Sequence, residues 1–401
     1  MALMSCTNIC FAQGPLAITG IIKDVKGEPL PGAGVYLSGY QAATVADNDG
    51  KFTISNLKSG NYDVLVQVIG FLPQNKNVLL TDKNVSIEIV LQENVTQLNE
   101  VVIKADPNRQ YYINLFKKCF IGTSPNADKC VIINPEVIQT DYDKQNRILR
   151  VTANDFLIIE NKALGYRIKY LLGYFENDEK TNILFYSGHP HFEELEKNPS
   201  RVKRYNKIRE TAYLGSSQHF FSALYHNRIK EDGFIIHKLA RVPNTSRPSD
   251  EVISANLRRL TSFSNGARSL ALPNDSLNYW KNMRREPKVL SLLDRENVLV
   301  DTLVKSLYMD LKSITYKDAL YVVYTKEKET NTYRDFSGHF VTRPGDLGNY
   351  QISIVNQLIA PSSFYENGGI FDPRSLLYEG YWAYEKVADM VPMDYQTNSK
   401  K

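Results

Sequence analysis

Residues 16–37 read LAITGIIKDVKGEPLPGAGVYL, and this stretch decides the fold of the first part of the chain. Ile18 to Ile22 is a short β-type run, and Asp24 to Gly27 is a turn. Pro29 and Pro31 suit an edge connection, because proline cannot donate to a ladder. Val35-Tyr36-Leu37 is the next run. Outward from here, Lys51–Ser55, Tyr62–Val68, Val78–Leu80 and Val85–Leu91 follow between Gly, Asn and Asp clusters. Tyr62, Val64, Val66 and Val68 alternate with Asp63, Leu65 and Gln67, the period of a strand with one buried face. Short strands with turn signals about every ten residues predict an antiparallel β-sandwich over residues 16–93.

The spaced residues of this segment resemble a known family. They are Gly20, Asp24, Gly27, Pro29-Leu30-Pro31-Gly32-Ala33, Val35 and Leu37, then Asp47, Gly50, Phe52 and Ile54, then Leu57, Gly60, Tyr62 and Ile69-Gly70-Phe71. The pattern is similar to the carboxypeptidase-regulatory-like domain of Bacteroidetes envelope proteins. That resemblance implies a seven-stranded, transthyretin/prealbumin-like sandwich that serves as a folding support or docking module. Asp47-Asn48-Asp49-Gly50 reads as a hairpin turn. An EF-hand loop would need acids where Val45 and Asn56 stand.

The composition is that of an ordinary globular protein: 401 residues, 43% hydrophobic and 23% charged. A net charge of +4 does not call for nucleic acid as a partner. No apolar run is long enough for a transmembrane helix. Residues 1–13, MALMSCTNICFAQ, read as the tail of a secretory signal ending near Ala12. Export to the periplasm or an outer-membrane-associated position is expected, and it further disfavours nucleic acid. Of the four cysteines, Cys119 and Cys130 would remain after export. They are read either as a disulfide or as a buried helical thiol and a strand thiol.

Residues 94–105 form a connector, and Leu98-Asn99-Glu100-Val101-Val102-Ile103 resembles the segment after the same sandwich in TonB-dependent transporters. The remaining chain lacks the sustained ten-residue alternation of a lipid-facing barrel, so a transporter is disfavoured. Residues 106–395 are expected to form an α+β domain with a mainly antiparallel sheet. Asp106-Pro107 predicts a helix start, with Tyr111, Leu115 and Cys119 on one face, Tyr112, Phe116 and Phe120 beside it, and Gly122 ending it. Strands are expected at Val137–Thr140, Ile148–Ala153, Phe156–Glu160, Tyr166–Tyr174, Thr181–Tyr186, Leu299–Leu303, Ser313–Tyr316, Ala319–Tyr324 and Gln351–Asn356. Helical spacing fills 199–232. The phrases at residues 159–168 (IENKALGYRI), 212–220 (AYLGSSQHF) and 378–382 (YEGYW) are similar to Bacteroidetes proteins that pair the regulatory-like domain with a C-terminal region of undefined function.

Two chemistries compete for the second part. His191-Phe192-Glu193-Glu194 contains the His-x-x-Glu of zinc carboxypeptidases, and His339 is the available third ligand. Four-residue motifs of this kind have low specificity, and Gly188-His189-Pro190-His191 reads as a turn at a strand end. No cofactor is expected. Residues 197–288 hold 18 Lys and Arg against 7 Asp and Glu, a local +11 that leaves −7 for the rest. Arg201, Lys203, Arg204, Lys207 and Arg209 concentrate the excess. The expected function is non-enzymatic docking in the cell envelope through this basic surface, toward an envelope protein, an anionic lipid or a polysaccharide. A zinc-dependent hydrolase using His191, Glu194 and His339 is the alternative. Glycan binding by the sandwich is a further one.

Overall fold

The computed structural model describes residues 15–94, 107–262, 274–296, 298–307, 311–336 and 343–397. The signal-like residues 1–13, most of the connector and His339 lie outside them. The first seven strands are β1 (Leu16–Asp24), β2 (Gly34–Leu37), β3 (Ala43–Val45), β4 (Lys51–Leu57), β5 (Gly60–Gln67), β6 (Gln74–Leu80) and β7 (Val85–Leu91). They form two sheets, ordered β4-β1-β7 and β3-β2-β5-β6, around Ile18, Ile22, Val35, Phe52, Val64, Val66 and Leu91. This is the expected sandwich with one difference: β1 and β7 pair in parallel. Period-two burial reports which face is inward, not which way the neighbouring strand runs.

Helix α1 (Arg109–Phe120) begins just after Pro107 and ends at Gly122, whose φ of 105° suits only glycine. Next come β8 (Cys130–Ile132), β9 (Ile138–Asp143), β10 (Ile148–Ala153), β11 (Leu157–Asn161), β12 (Tyr166–Asp178) and β13 (Ile183–Glu194). They make a six-stranded antiparallel sheet in which β12 is flanked by β13 on one side and by β11 and β10 on the other. Phe116 and Phe120 of α1 stack at 4.9 Å and meet Phe175 and Tyr170 of the sheet edge-on. The expected turn at Gly188–His191 is instead the middle of β13. Because β13 is an edge strand, Pro190 withholds no ladder bond there.

Asn198 caps α2 (Pro199–Tyr213) by accepting from Ser200 N, and Ser216 caps α3 (Ser217–Tyr225) by accepting from His219 N. Strand β14 (Phe234–Pro243) follows, and α4 (Asp250–Ser262) and α5 (Asn274–Arg285) lie between it and β15 (Val289–Asp294). Since β14 and β15 pair antiparallel up to Pro243 and Val289, the two helices are an arm inserted into a hairpin. Then come β16 (Val304–Ser306), β17 (Leu311–Ile314), β18 (Ala319–Lys328), α6 (Asn331–Phe336), β19 (Tyr350–Gln357), β20 (Ser362–Tyr365), β21 (Leu376–Gly380) and α7 (Tyr381–Tyr384). A five-stranded sheet, β15-β14-β18-β19-β21, packs on α3 through Phe220, Phe221, Leu224 and Phe234. The strand expected at Leu299–Leu303 is a 3₁₀ turn over Val300–Thr302.

Residues 381–393 tie these bodies together. Trp382 packs among Phe220 and Tyr378, while Val387, Ala388 and Val391 enter the core under α1. Ala388 N donates to Ile121 O at 3.1 Å, and Asn161 Nδ2 donates to Ala388 O at 2.8 Å. Asn161 is fully buried, and its Oδ1 accepts from Ala163 N and Leu164 N at 3.1 and 3.0 Å. Asn161→Ala strands these three backbone groups. It is expected to lower the unfolding free energy by about 3 kcal/mol in urea titration. A loss below 1 kcal/mol would show that the C-terminal segment is held by other means.

Candidate functional site

Three places could carry function: the seam between the sandwich and the six-stranded sheet, the buried polar groups around Gly215, and the basic helices. The seam is built on the free edge of β13. The turn after β2 reaches that edge, where Gly39 N donates to Pro190 O and Phe192 N donates to Tyr40 O at 3.1 Å. On its other side Met393 N donates to Gly39 O at 2.7 Å. Gly39 has φ of 82°, and a Cβ there would meet Met393 Cγ at 2.9 Å, so glycine is required. Side chains extend the contact: Asn367 Nδ2 to Tyr40 Oη at 3.0 Å, Gln67 Nε2 to Asp155 Oδ1 at 2.7 Å, and Lys169 Nζ to Tyr36 Oη at 3.1 Å.

The zinc candidates do not converge. His191 and Glu194 lie three apart on β13, and side chains three apart on a strand face opposite sides. His-x-x-Glu gathers ligands on a helix or loop, not here. The His191 ring is buried in the seam 4.7 Å from Tyr36, and its Nδ1 has no partner. Glu194 turns outward and receives Arg209 Nη1 and Nη2 at 2.9 and 2.7 Å. Among the described residues no group of three His, Cys, Asp or Glu could hold a metal ion. Cys119 and Cys130 are free thiols. Burial raises the pKa of both, that of Cys130 to about 12, which leaves them protonated and unreactive.

The five basic residues of α2 divide. Arg201, Lys203, Arg204 and Lys207 are exposed, and Arg201 pairs with Glu196 at 2.6 Å. Arg209 does not belong to this surface. It is 3% exposed, donates to Leu164 O at 2.7 Å and lies 3.8 Å above the Tyr166 ring. Helical periodicity puts position 209 on the inward side, and charge counting cannot see that. Basic side chains continue instead on the arm, at Arg258, Arg259, Lys281, Arg284 and Arg285, all exposed.

Around Gly215 the phrases at 212–220 and 378–382 meet. Trp382 Nε1 donates to Gly215 O at 2.7 Å, and Gly215 N donates to His219 Nδ1 at 3.1 Å. With Nδ1 accepting, the proton of neutral His219 sits on Nε2, 3.6 Å from Asp232. That imidazole has no free lone pair to act as a base. Close by, Gln351 Nε2 donates to Glu327 Oε2 at 3.1 Å, and burial lifts the Glu327 carboxyl to about 7. Burial also raises Glu385 well above the carboxylate range, with Asp389 and Glu327 adding to it. Nothing in the sequence pattern pointed to Glu327 or Glu385, because the burial that shifts them comes from the fold rather than from local spacing.

Burial pushes the His191 imidazole down to about 4, with Lys169 acting the same way; Glu193 and the Leu37 and Tyr40 backbone oppose this. The ordinary value is about 6.5, so the unfolded chain takes the proton first. The stability due to neutral His191 is complete above pH 6.5 and is lost as pH falls toward 4, by about 3 kcal/mol. Glu327 has the opposite sign over pH 4.5–7 because its folded value is raised. The test is therefore a difference: between pH 7 and 4, His191→Gln should gain about 3 kcal/mol relative to the parent chain in urea titrations. An unchanged difference would show that His191 is already solvated.

Residues 18–103 match the CarboxypepD_reg-like domain. Over 93 residues the chain is 36% identical to the TonB-dependent receptor SusC of Bacteroides thetaiotaomicron, a stretch that is 23% of this chain and 8% of the receptor. The chain thus spans a small part of that relative. Among solved structures, a streptococcal ancillary pilin aligns at 19% identity over 20% of this chain and 32% of the pilin, with a TM-score of 0.18. The 3-chlorocatechol 1,2-dioxygenase of Rhodococcus opacus 1CP aligns at 12% identity over 20% and 60%, with a TM-score of 0.18. At these scores neither likeness bears on function. Motif, seven-stranded sandwich and family match agree: the first part of the chain is a CarboxypepD_reg-like domain.

Proposed function

We propose that this is a non-enzymatic docking protein of the cell envelope, which meets an anionic envelope component through the basic surface of residues 197–288. The observation that carries this reading is the exposure of cationic side chains on α2 and on the α4–α5 arm. The likeness to SusC supports an envelope setting. The sandwich suits a support role, since its Gly39–Tyr40 turn is bonded into the β13 edge and the C-terminal segment.

Charges held at a surface attract polyanions over roughly a Debye length, and each Lys or Arg near an anionic surface contributes about 1 kcal/mol. Binding of the full chain to dextran sulfate, followed calorimetrically at low salt, should weaken about tenfold or more when Lys203, Arg204, Lys207, Lys281 and Arg284 are all changed to Glu. Arg209 stays untouched because it holds the fold. Unchanged affinity would remove the basic-surface reading. Binding that survived truncation to residues 16–93 would move the function to the sandwich.

A further inference from the structure

The α4–α5 arm is set apart from the rest of the second region. Ile253 is a buried side chain of α4, while Val252, Tyr279, Leu290 and Leu292 of the arm and the adjoining β15 are exposed. Between the two helices runs a groove of about 600 Å³, with Leu257 and Leu277 among its lining and Arg258, Lys281, Arg284 and Arg285 around it. Leu277, Lys281, Arg284 and Arg285 stand at i, i+4, i+7 and i+8, so one face of α5 presents both the apolar and the cationic groups. Trp280 sits beside this face with its ring 5.2 Å from Tyr279. The acids at the start of α4 do not neutralise it: Asp250 is held by Arg247 at 2.6 Å and by Lys288. Among the described residues no carboxylate pairs with Lys281, Arg284 or Arg285.

We infer that this groove seats the phosphate headgroups of an anionic phospholipid bilayer, with the arm lying in the plane of the membrane surface. The inference rests on the docking reading above and names its partner and its place. Three cations without a carboxylate partner on one face of α5 require a concentrated negative charge. Free phosphate would satisfy the cations but not the leucines lining the groove. An acidic protein segment would make no use of Trp280, next to Lys281 on α5, whose ring has one apolar and one polar end and settles at the headgroup level. A helix with Lys and Arg beside Leu and Trp is the pattern that lies in a bilayer interface, its long cationic side chains reaching back to the phosphates.

The test uses the full chain and vesicles of phosphatidylcholine, alone or with phosphatidylglycerol, read by co-sedimentation and by Trp280 emission. The parent chain should bind only the anionic vesicles, and its emission should shift to the blue, a shift absent in Trp280→Phe. The double variant Lys281→Glu, Arg284→Glu should bind about tenfold or more weakly. Lys58→Glu with Lys83→Glu should bind within about twofold of the parent, since those residues lie on the sandwich, outside the basic surface. Both pairs are exposed, and unchanged thermal unfolding confirms that each variant folds. Equal binding to neutral vesicles, or parent-like binding by the arm variant, overturns the inference. Competition by millimolar inorganic phosphate as complete as the arm variant's loss would assign the groove to a free anion and also overturn it. If the chain binds dextran sulfate but no vesicle, the groove inference falls and the docking reading stands; if it binds neither, both fall.

Discussion

The C-terminal segment from Tyr381 to Met393 is the constraint on which the rest of the structure depends. Its side chains enter two cores, Trp382 beside α3 and Val387, Ala388 and Val391 beneath α1. Its backbone closes bonds that no nearer segment could supply: Ala388 N to Ile121 O, Ala388 O from Asn161, and Met393 N to Gly39 O. Buried backbone groups left without partners are costly, so a run of thirteen residues with bonds to the sandwich, the first sheet and the second sheet couples their stabilities. The buried Asp389 carboxyl, accepting from Ser124 and Asn126 at 2.8 and 2.9 Å, adds a polar anchor within the same run.

The seam with the sandwich is of another kind. It joins one turn to the open edge of β13 by backbone hydrogen bonds, with amide and carboxylate side chains around it and His191 against Tyr36 at the centre. Edge strands with unpaired donors and acceptors invite further pairing, and here the chain covers its own edge. The seam's neutral histidine makes the contact sensitive to acid.

Much of the sandwich was legible in the sequence because turn glycines, prolines and two-residue alternation are local signals. The parallel pairing of β1 with β7 was not, since direction is decided by the route of the chain between sheets. The strands from Ile148 to Tyr174 were also readable, whereas Gly188-His189-Pro190 misled. Those residues are turn formers, but an edge strand tolerates them. The phrases at 159–168, 212–220 and 378–382 proved to be physical neighbours of the C-terminal segment through Asn161, Gly215 and Trp382. What sequence reading could not see was burial. It placed Arg209 on the surface and His191 with Glu194 in one site, when the fold sends the first inward and the other two to opposite faces. Glu327 and Glu385 carried no pattern at all.

The proposed function asks one thing of this architecture: that the core stay pinned while the arm meets its partner. Hydrogen exchange of the full chain, with and without phosphatidylglycerol vesicles, tests that most directly. New protection centred on α4 and α5, with the sandwich and the C-terminal segment unchanged, is the predicted result. Protection centred on residues 16–93, or none on the arm, would contradict it.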